Sequence, residues 1–203
     1  MEFCLDFKTK YNEKMTASIN LSDFDKVLII GEADSGKTAF FERFCEKYAK
    51  KSTKIAEDGK FKVSFLPSEP VFFNKKNVLF NLKYALKVLK IKDEKVIDEL
   101  LSKFNFNRLK TKLIKDLTYV EKQKLALIRA LIKEPEIILI DDLFTNVSNN
   151  LDEISQIVKM ALEQKCLVFV ATRDRIPIGL KFDKIFKIDE QGFTEISSYE
   201  NYF

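Results

Sequence analysis

The chain has 203 residues, 46% of them apolar and 33% charged, and carries a net charge of +4 from 35 basic and 31 acidic side chains. That length suits one compact domain with a sizeable core, and basic residues scattered in pairs such as Lys50-Lys51 and Lys75-Lys76 are unlike the single basic face of a nucleic-acid binder, so no nucleic-acid partner is expected. Histidine is absent and the three cysteines, Cys4, Cys45 and Cys166, stand far apart, which excludes Ser-His and Cys-His nucleophiles, His-ligated metals and a disulfide framework, and fits a reduced cytosolic setting.

In chain order, "EFCLDF" sets Phe3, Leu5 and Phe7 on one face and "ASINL" does the same with Ala17, Ile19 and Leu21, the period of half-buried antiparallel strands. "KVLIIG" is instead a continuous apolar run, expected of a strand buried on both faces of a parallel sheet. The period then changes, and "GKTAFFERFCEKYAKK" places Phe40, Phe41, Phe44, Cys45 and Tyr48 on one helical face. "FKVSFL" alternates through Phe61, Val63 and Phe65, and "PSEP" makes a turn after it. Two helices are predicted over "NVLFNLKYALKVLK" and "DEKVIDELLSKF", and a third over "EKQKLALIRALIK", running up to Glu134-Pro135.

"EIILID" and "CLVFVA" are two more buried strands, separated by the helical "LDEISQIVKMALEQK", and "DKIFKIDEQGFTEI" reads as a hairpin around Gln191-Gly192. Strands alternating with helices predict an α/β fold: a mostly parallel sheet flanked by helices, with an antiparallel β part at the N-terminus. The longest apolar runs fall far short of the roughly 20 residues that span a bilayer, so neither a membrane anchor nor a signal segment is expected.

One stretch carries chemistry directly. "GEADSGKT" completes G-x-x-x-x-G-K-[ST] with Gly31, Gly36, Lys37 and Thr38, immediately after a predicted strand and at the start of a predicted helix, the context a phosphate-binding loop requires. Glycines let the backbone curl into a ring of inward N–H donors, and the helix N-terminus adds its positive dipole end. Candidate nucleotide-binding residues are therefore Gly31, Glu32, Ala33, Asp34, Ser35, Gly36, Lys37, Thr38 and Ala39. Lys37 would reach the outer phosphates, and the Thr38 hydroxyl would ligate Mg²⁺. The metal's second protein ligand is expected at Asp141, where "IILIDD" ends a buried strand, because strand C-termini face the ligand crevice of an open α/β sheet. Asp142 would orient or activate a water; a cap or turn role is its alternative.

The order of these parts is informative. "LTYVEKQKLALIRALIKEPEIILIDD" resembles the signature-to-Walker-B block of ABC-type ATPases, whose pattern runs LSGGQ, a basic QRxxLARAL, a proline turn and an apolar strand before Asp-Glu. Leu117 and Thr118 stand where Leu and Ser are expected, and Gln123, Leu127, Arg129, Ala130, Leu131 and Pro135 follow in register. The resemblance covers nearly the whole chain. It implies a P-loop NTPase fold, one ATP-binding domain over residues 1–203 with an inserted helical subdomain over about 74–133, and ATP with Mg²⁺ as cofactors. It implies a homodimer or a heterodimer with another ABC ATPase, an integral membrane permease as partner, and a place on the cytoplasmic face of the membrane.

Several family positions depart from pattern. Ser68 replaces the glutamine after the third strand, and Tyr119 and Val120 replace the signature glycines, whose missing Cβ would let a helix N-terminus approach a phosphate on the opposite subunit. The catalytic glutamate is the shorter Asp142, the D-loop aspartate is Ser148, and the switch histidine is Arg173, which cannot take a proton but would hold a γ-phosphate as a cation, or would be a surface loop residue. Tyr11 is the candidate for stacking on adenine, with Phe7 second. "PVFFNKKNVLFNLKYAL", with Phe72, Phe73, Phe80 and Tyr84, falls where relatives receive a coupling helix; exposed aromatics there would dock a helix, and buried ones would cover the sheet.

Two functions follow. One is the ATP-binding subunit of an ABC transporter or ABC-like membrane complex, and the other is a binding or regulatory module of the same fold with little turnover, which includes the degenerate half of a heterodimer. A nucleotide kinase lacks a place for "KLALIRALIKEPEIILIDD", and a GTPase would need an aspartate that "NKKN" does not have.

Overall fold

The computed structural model describes residues 1–49, 60–144, 150–177 and 179–199. Its elements in chain order are β1 (Glu2–Phe7), β2 (Met15–Asn20), β3 (Lys26–Ile30), α1 (Lys37–Tyr48), β4 (Val63–Leu66), α2 (Val78–Leu89), α3 (Lys95–Lys103), α4 (Tyr119–Leu131), β5 (Ile137–Asp141), α5 (Leu151–Leu162), β6 (Leu167–Thr172), β7 (Lys184–Asp189) and β8 (Gly192–Ile196). They form two compact units, Met1–Ser68 with Glu136–Phe203, and Glu69–Pro135.

In the first unit, β1 and β2 make a two-stranded antiparallel sheet whose register sets Phe3 opposite Ile19 and Leu5 opposite Ala17. All four are buried, as the alternation requires. The second sheet has the order β4-β5-β6-β3-β7-β8. Its first five strands run parallel and β8 returns antiparallel. Every residue of β5 and β6 is buried, the consequence of continuous apolar runs covered on both faces. β4 differs from its period. Val63, Ser64 and Leu66 are buried and Phe65 partly so, because this edge strand too is covered on both faces and has no wet side for alternation to mark.

Phenylalanine, present nineteen times against no tryptophan, supplies most of the rings in the core. Phe40 of α1 lies at its centre: its ring centroid is 5.4 Å from Phe7 of β1, 6.2 Å from Phe169 of β6 and 5.3 Å from Phe193 of β8. Aromatic pairs at such distances add about 0.5–1.5 kcal/mol each beyond buried area. The contacts tie both sheets to the helix that follows the phosphate loop. They also remove Phe7 from the candidates for stacking on a base, since its ring is enclosed in this cluster.

The second unit is helical. Asn77 caps α2 by accepting from Phe80 N–H at 2.8 Å. Thr118 caps α4 in a reciprocal box: its hydroxyl accepts from Glu121 N–H at 3.2 Å, its own N–H donates to Glu121 Oε2 at 2.9 Å, and Lys112 Nζ stands 3.1 Å from that oxygen. Tyr119 and Val120 open α4, and Tyr119 is 38% exposed. The helix ends at Leu131, short of the predicted Glu134, which adopts φ of 48°. Proline disfavours the helical conformation in the residue before it. Phe73, Phe80 and Tyr84 are exposed and touch one another, with centroids 4.8–6.5 Å apart, whereas Phe72 is half-buried with the Arg129 guanidinium 4.3 Å over its ring. Among the described residues, no helix is long and apolar enough to cross a membrane.

Candidate nucleotide site

The strand order brings the C-terminal ends of β5, β6 and β3 side by side, with Asp141 paired to Ala171 and Ile30 to Thr172. The phosphate loop leaves β3 at Gly31, where a Cβ would stand 2.5 Å from Ser35 Oγ and 2.8 Å from Ile188 O. It turns into α1 at Gly36, with φ of 105°, where a Cβ would meet the Thr9 methyl at 2.8 Å. Both positions need glycine, one for close approach and one for conformation as well. No acidic residue occupies the first turn of α1, so its N-terminal dipole end is left to an incoming anion.

Lys37 is 6% exposed, and its Nζ donates to the carbonyls of Gly31 and Glu32, each at 2.7 Å. Burial lowers its pKa, opposed by the nearby Asp142 and Asp141 carboxylates. Thr38 Oγ1 donates to Asp141 Oδ2 at 2.7 Å. Asp141 is 4% exposed, and its other oxygen, Oδ1, is buried with no hydrogen-bond partner among the described residues. Burial raises the Asp141 pKa, with the Thr38 bond opposing and the Asp142 charge adding to it.

Asp142 leaves β5 with φ of 51°, and its N–H donates to Ala171 O at 2.9 Å. Its carboxylate faces Arg173 twice: Oδ1 lies 3.4 Å from the Arg173 N–H nitrogen and Oδ2 lies 3.6 Å from Nε. The two residues expected to orient water and to hold a γ-phosphate are thus partners of each other.

These groups surround a cavity of about 460 Å³ lined by Ala33 to Ala39, Asp141, Asp142 and Arg173, and also by Lys8, Thr9 and Lys10 from the β1–β2 turn. The last three were not legible as site residues; the only hint is "KTKYN", a cationic turn between two alternating strands. Tyr11 does not line this cavity. It borders a neighbouring one of about 210 Å³ with Gly31, Glu32 and Arg173, and its hydroxyl donates to Glu32 Oε2 at 3.2 Å. Ser68 is half-buried after β4, and Ser148 lies outside the described residues.

An oxygen-rich corner fits a hard cation. The Thr38 hydroxyl and the unpartnered Asp141 oxygen supply two ligands, and Mg²⁺ characteristically takes one or two protein oxygens with the rest from phosphates and water. Among the described residues, no group of three acidic or sulfur side chains would hold a metal without such help.

The ABC transporter family profile matches residues 15–145, from β2 through the phosphate loop to the residues after β5. The chain belongs to the ABC transporter family. Its relatives in this family include the molybdate/tungstate import ATP-binding protein WtpC of Methanocaldococcus jannaschii, 28% identical over 68% of this chain and 51% of that protein. The chain spans about half the length of that relative. The thiamine import ATP-binding protein ThiQ of Histophilus somni is 24% identical over 91% of this chain and 92% of its own length. Among solved structures, CbiO1 of Clostridium perfringens, part of the ABC transporter complex CbiONQ, shares the fold with a TM-score of 0.72 at 18% identity, over 94% of this chain and 84% of that one. This ABC fold is the α/β architecture expected from the alternation of strands and helices.

Proposed function

We propose that the chain is the ATP-binding subunit of an ABC transporter or ABC-like membrane complex, that it binds Mg-ATP in the cavity between the phosphate loop and the ends of β5 and β6, and that it couples nucleotide binding to a separate membrane permease. The observation that carries this reading is the Thr38–Asp141 hydrogen bond of 2.7 Å beside the buried, unpartnered Asp141 Oδ1, with Lys37 on the same loop. Loop N–H groups and Lys37 would hold the phosphates, and Thr38 and Asp141 the cation. Mg²⁺, when bound, neutralises charge on the outer phosphates. The relatives named for import of oxyanions and of thiamine support a transport role without identifying a cargo here. Both units would belong to one ATP-binding domain, acting as a homodimer or beside a sister ATPase at the cytoplasmic face of the membrane.

The pairing of Asp142 with Arg173 favours slow hydrolysis, since the carboxylate that would position water is engaged by a cation. That supports the second reading, a nucleotide-binding module with little turnover, within the same family. The test is titration of a fluorescent ATP analogue with and without Mg²⁺. Wild-type chain should bind with Mg²⁺ and Lys37→Ala should lose binding; equal affinity in the two would overturn the site.

A further inference from the structure

The β1–β2 turn is built as a fixed wall of the phosphate cavity. Thr9 Oγ1 accepts from the N–H groups of Tyr11 at 3.1 Å and Asn12 at 2.9 Å, and Thr9 N–H donates to Asn12 O at 2.9 Å. Thr9 is buried and its methyl lies against Gly36. The backbone that carries Lys10 is therefore fixed against the phosphate loop, while the side chain retains the freedom of a four-carbon stem. Its ammonium stands 2.8 Å from Glu32 Oε2 and 4.9 Å over the Tyr11 ring. Glu32 belongs to the phosphate loop itself, and its side chain is 77% exposed. An ion pair so open to water holds its partners weakly, and a polyphosphate entering the cavity that Lys10 lines presents a denser negative charge.

We propose that Lys10 is an exchangeable nucleotide ligand: it neutralises Glu32 in the nucleotide-free protein and turns onto the phosphates when they enter the cavity. This rests on the proposed nucleotide site and adds to it a residue from outside the phosphate loop, together with a competitor, Glu32, that sets its availability. Affinity then depends on a choice made by one ammonium between a protein carboxylate and a ligand. Tyr11 gains an open ring face by the same movement, because the cation over it departs.

The experiment is titration of a fluorescent ATP analogue with Mg²⁺ into the full chain, its Lys10→Gln and Glu32→Gln variants, and the double variant. Lys10→Gln should weaken binding about tenfold, the loss of one charged hydrogen bond. Glu32→Gln should tighten binding about threefold by releasing Lys10, and the double variant should match Lys10→Gln, since Glu32 then has nothing to withhold. The exchange is overturned if Lys10→Gln binds like wild type, if Glu32→Gln fails to tighten binding, or if its effect persists in the double variant, which would mark simple repulsion. Thermal melts of all four proteins separate loss of folding from loss of binding. Failure of the wild type to bind the analogue at all would instead remove the nucleotide reading itself.

Discussion

Replacing Asp141 by asparagine should stabilise the nucleotide-free protein and abolish its response to Mg-ATP. In the wild type a carboxylate 4% exposed has one oxygen bonded to Thr38 and the other buried without a partner. An unsatisfied buried charged oxygen costs about 1–3 kcal/mol. Asparagine keeps an oxygen for the Thr38 hydroxyl and removes the buried charge, while its amide N–H groups take the unpartnered Oδ1 position, so a net gain of about 1 kcal/mol is expected, or about 2–4 °C in Tm for a chain of this size. The pH dependence follows from burial, which holds the Asp141 pKa above the ordinary carboxylate range. The folded state then takes up a proton more readily than the unfolded one, and wild type gains stability as pH falls through the raised pKa and loses it as pH rises. The advantage of the variant should be greater at a pH above that raised pKa than at a pH near the ordinary carboxylate range, where the carboxyl is protonated in the folded state. Ligand reverses the order: Mg-ATP at about a hundred times Kd adds about 2.7 kcal/mol to a protein that binds it, and the variant should gain far less. Circular dichroism melts at both pH values, with and without Mg-ATP, read all of this. A variant that melts below wild type without nucleotide, or that keeps the full Mg-ATP shift, would refute the reasoning.

Gly36→Ala should lower Tm and weaken ATP binding together, since a Cβ at φ of 105° would also meet the Thr9 methyl at 2.8 Å; the conformational cost alone is about 1–2 kcal/mol, and an unchanged melt would contradict the geometry. Purified wild-type chain should turn over ATP far below the median enzyme rate of about 10 s⁻¹, measured by phosphate release, and brisk turnover would show that the Asp142–Arg173 pair does not restrain hydrolysis. Asp142→Glu should raise that rate if side-chain reach is the limitation, and an equal or lower rate would place the restraint elsewhere.

The parts of the fold that were legible are those where burial is complete or strictly one-sided. The runs at β3, β5 and β6 are apolar throughout and became the centre of the sheet, and the alternation of Phe3, Leu5 and Phe7 against Ala17 and Ile19 became a two-stranded sheet with one buried face. β4 was misleading because a covered edge strand mixes Ser64 with Leu66 on the face that period two would leave wet. The strand–loop–helix frame of the proposed phosphate loop was legible because it is local: strand, glycine, lysine and helix are contiguous. Lys8, Thr9 and Lys10 were not, since they join the cavity only when the β1–β2 turn folds against Gly36. The Asp142–Arg173 pair escaped for the same reason, as it depends on β5 and β6 being neighbours.

The reciprocal cap at the start of α4 has a consequence for any anion that approaches it. The N-terminus of a helix is ordinarily an open electropositive port. Here the Thr118 N–H already faces the Glu121 carboxylate at 2.9 Å, and Thr118 Oγ1 takes the Glu121 N–H at 3.2 Å. A visiting phosphate would therefore displace a resident anion in place of water, and its affinity would measure the difference between two similar charges. The port is self-occupied, so its default state is closed to oxyanions from outside, and admission requires Glu121 Oε2 to give up both the Thr118 N–H and its ion pair with Lys112.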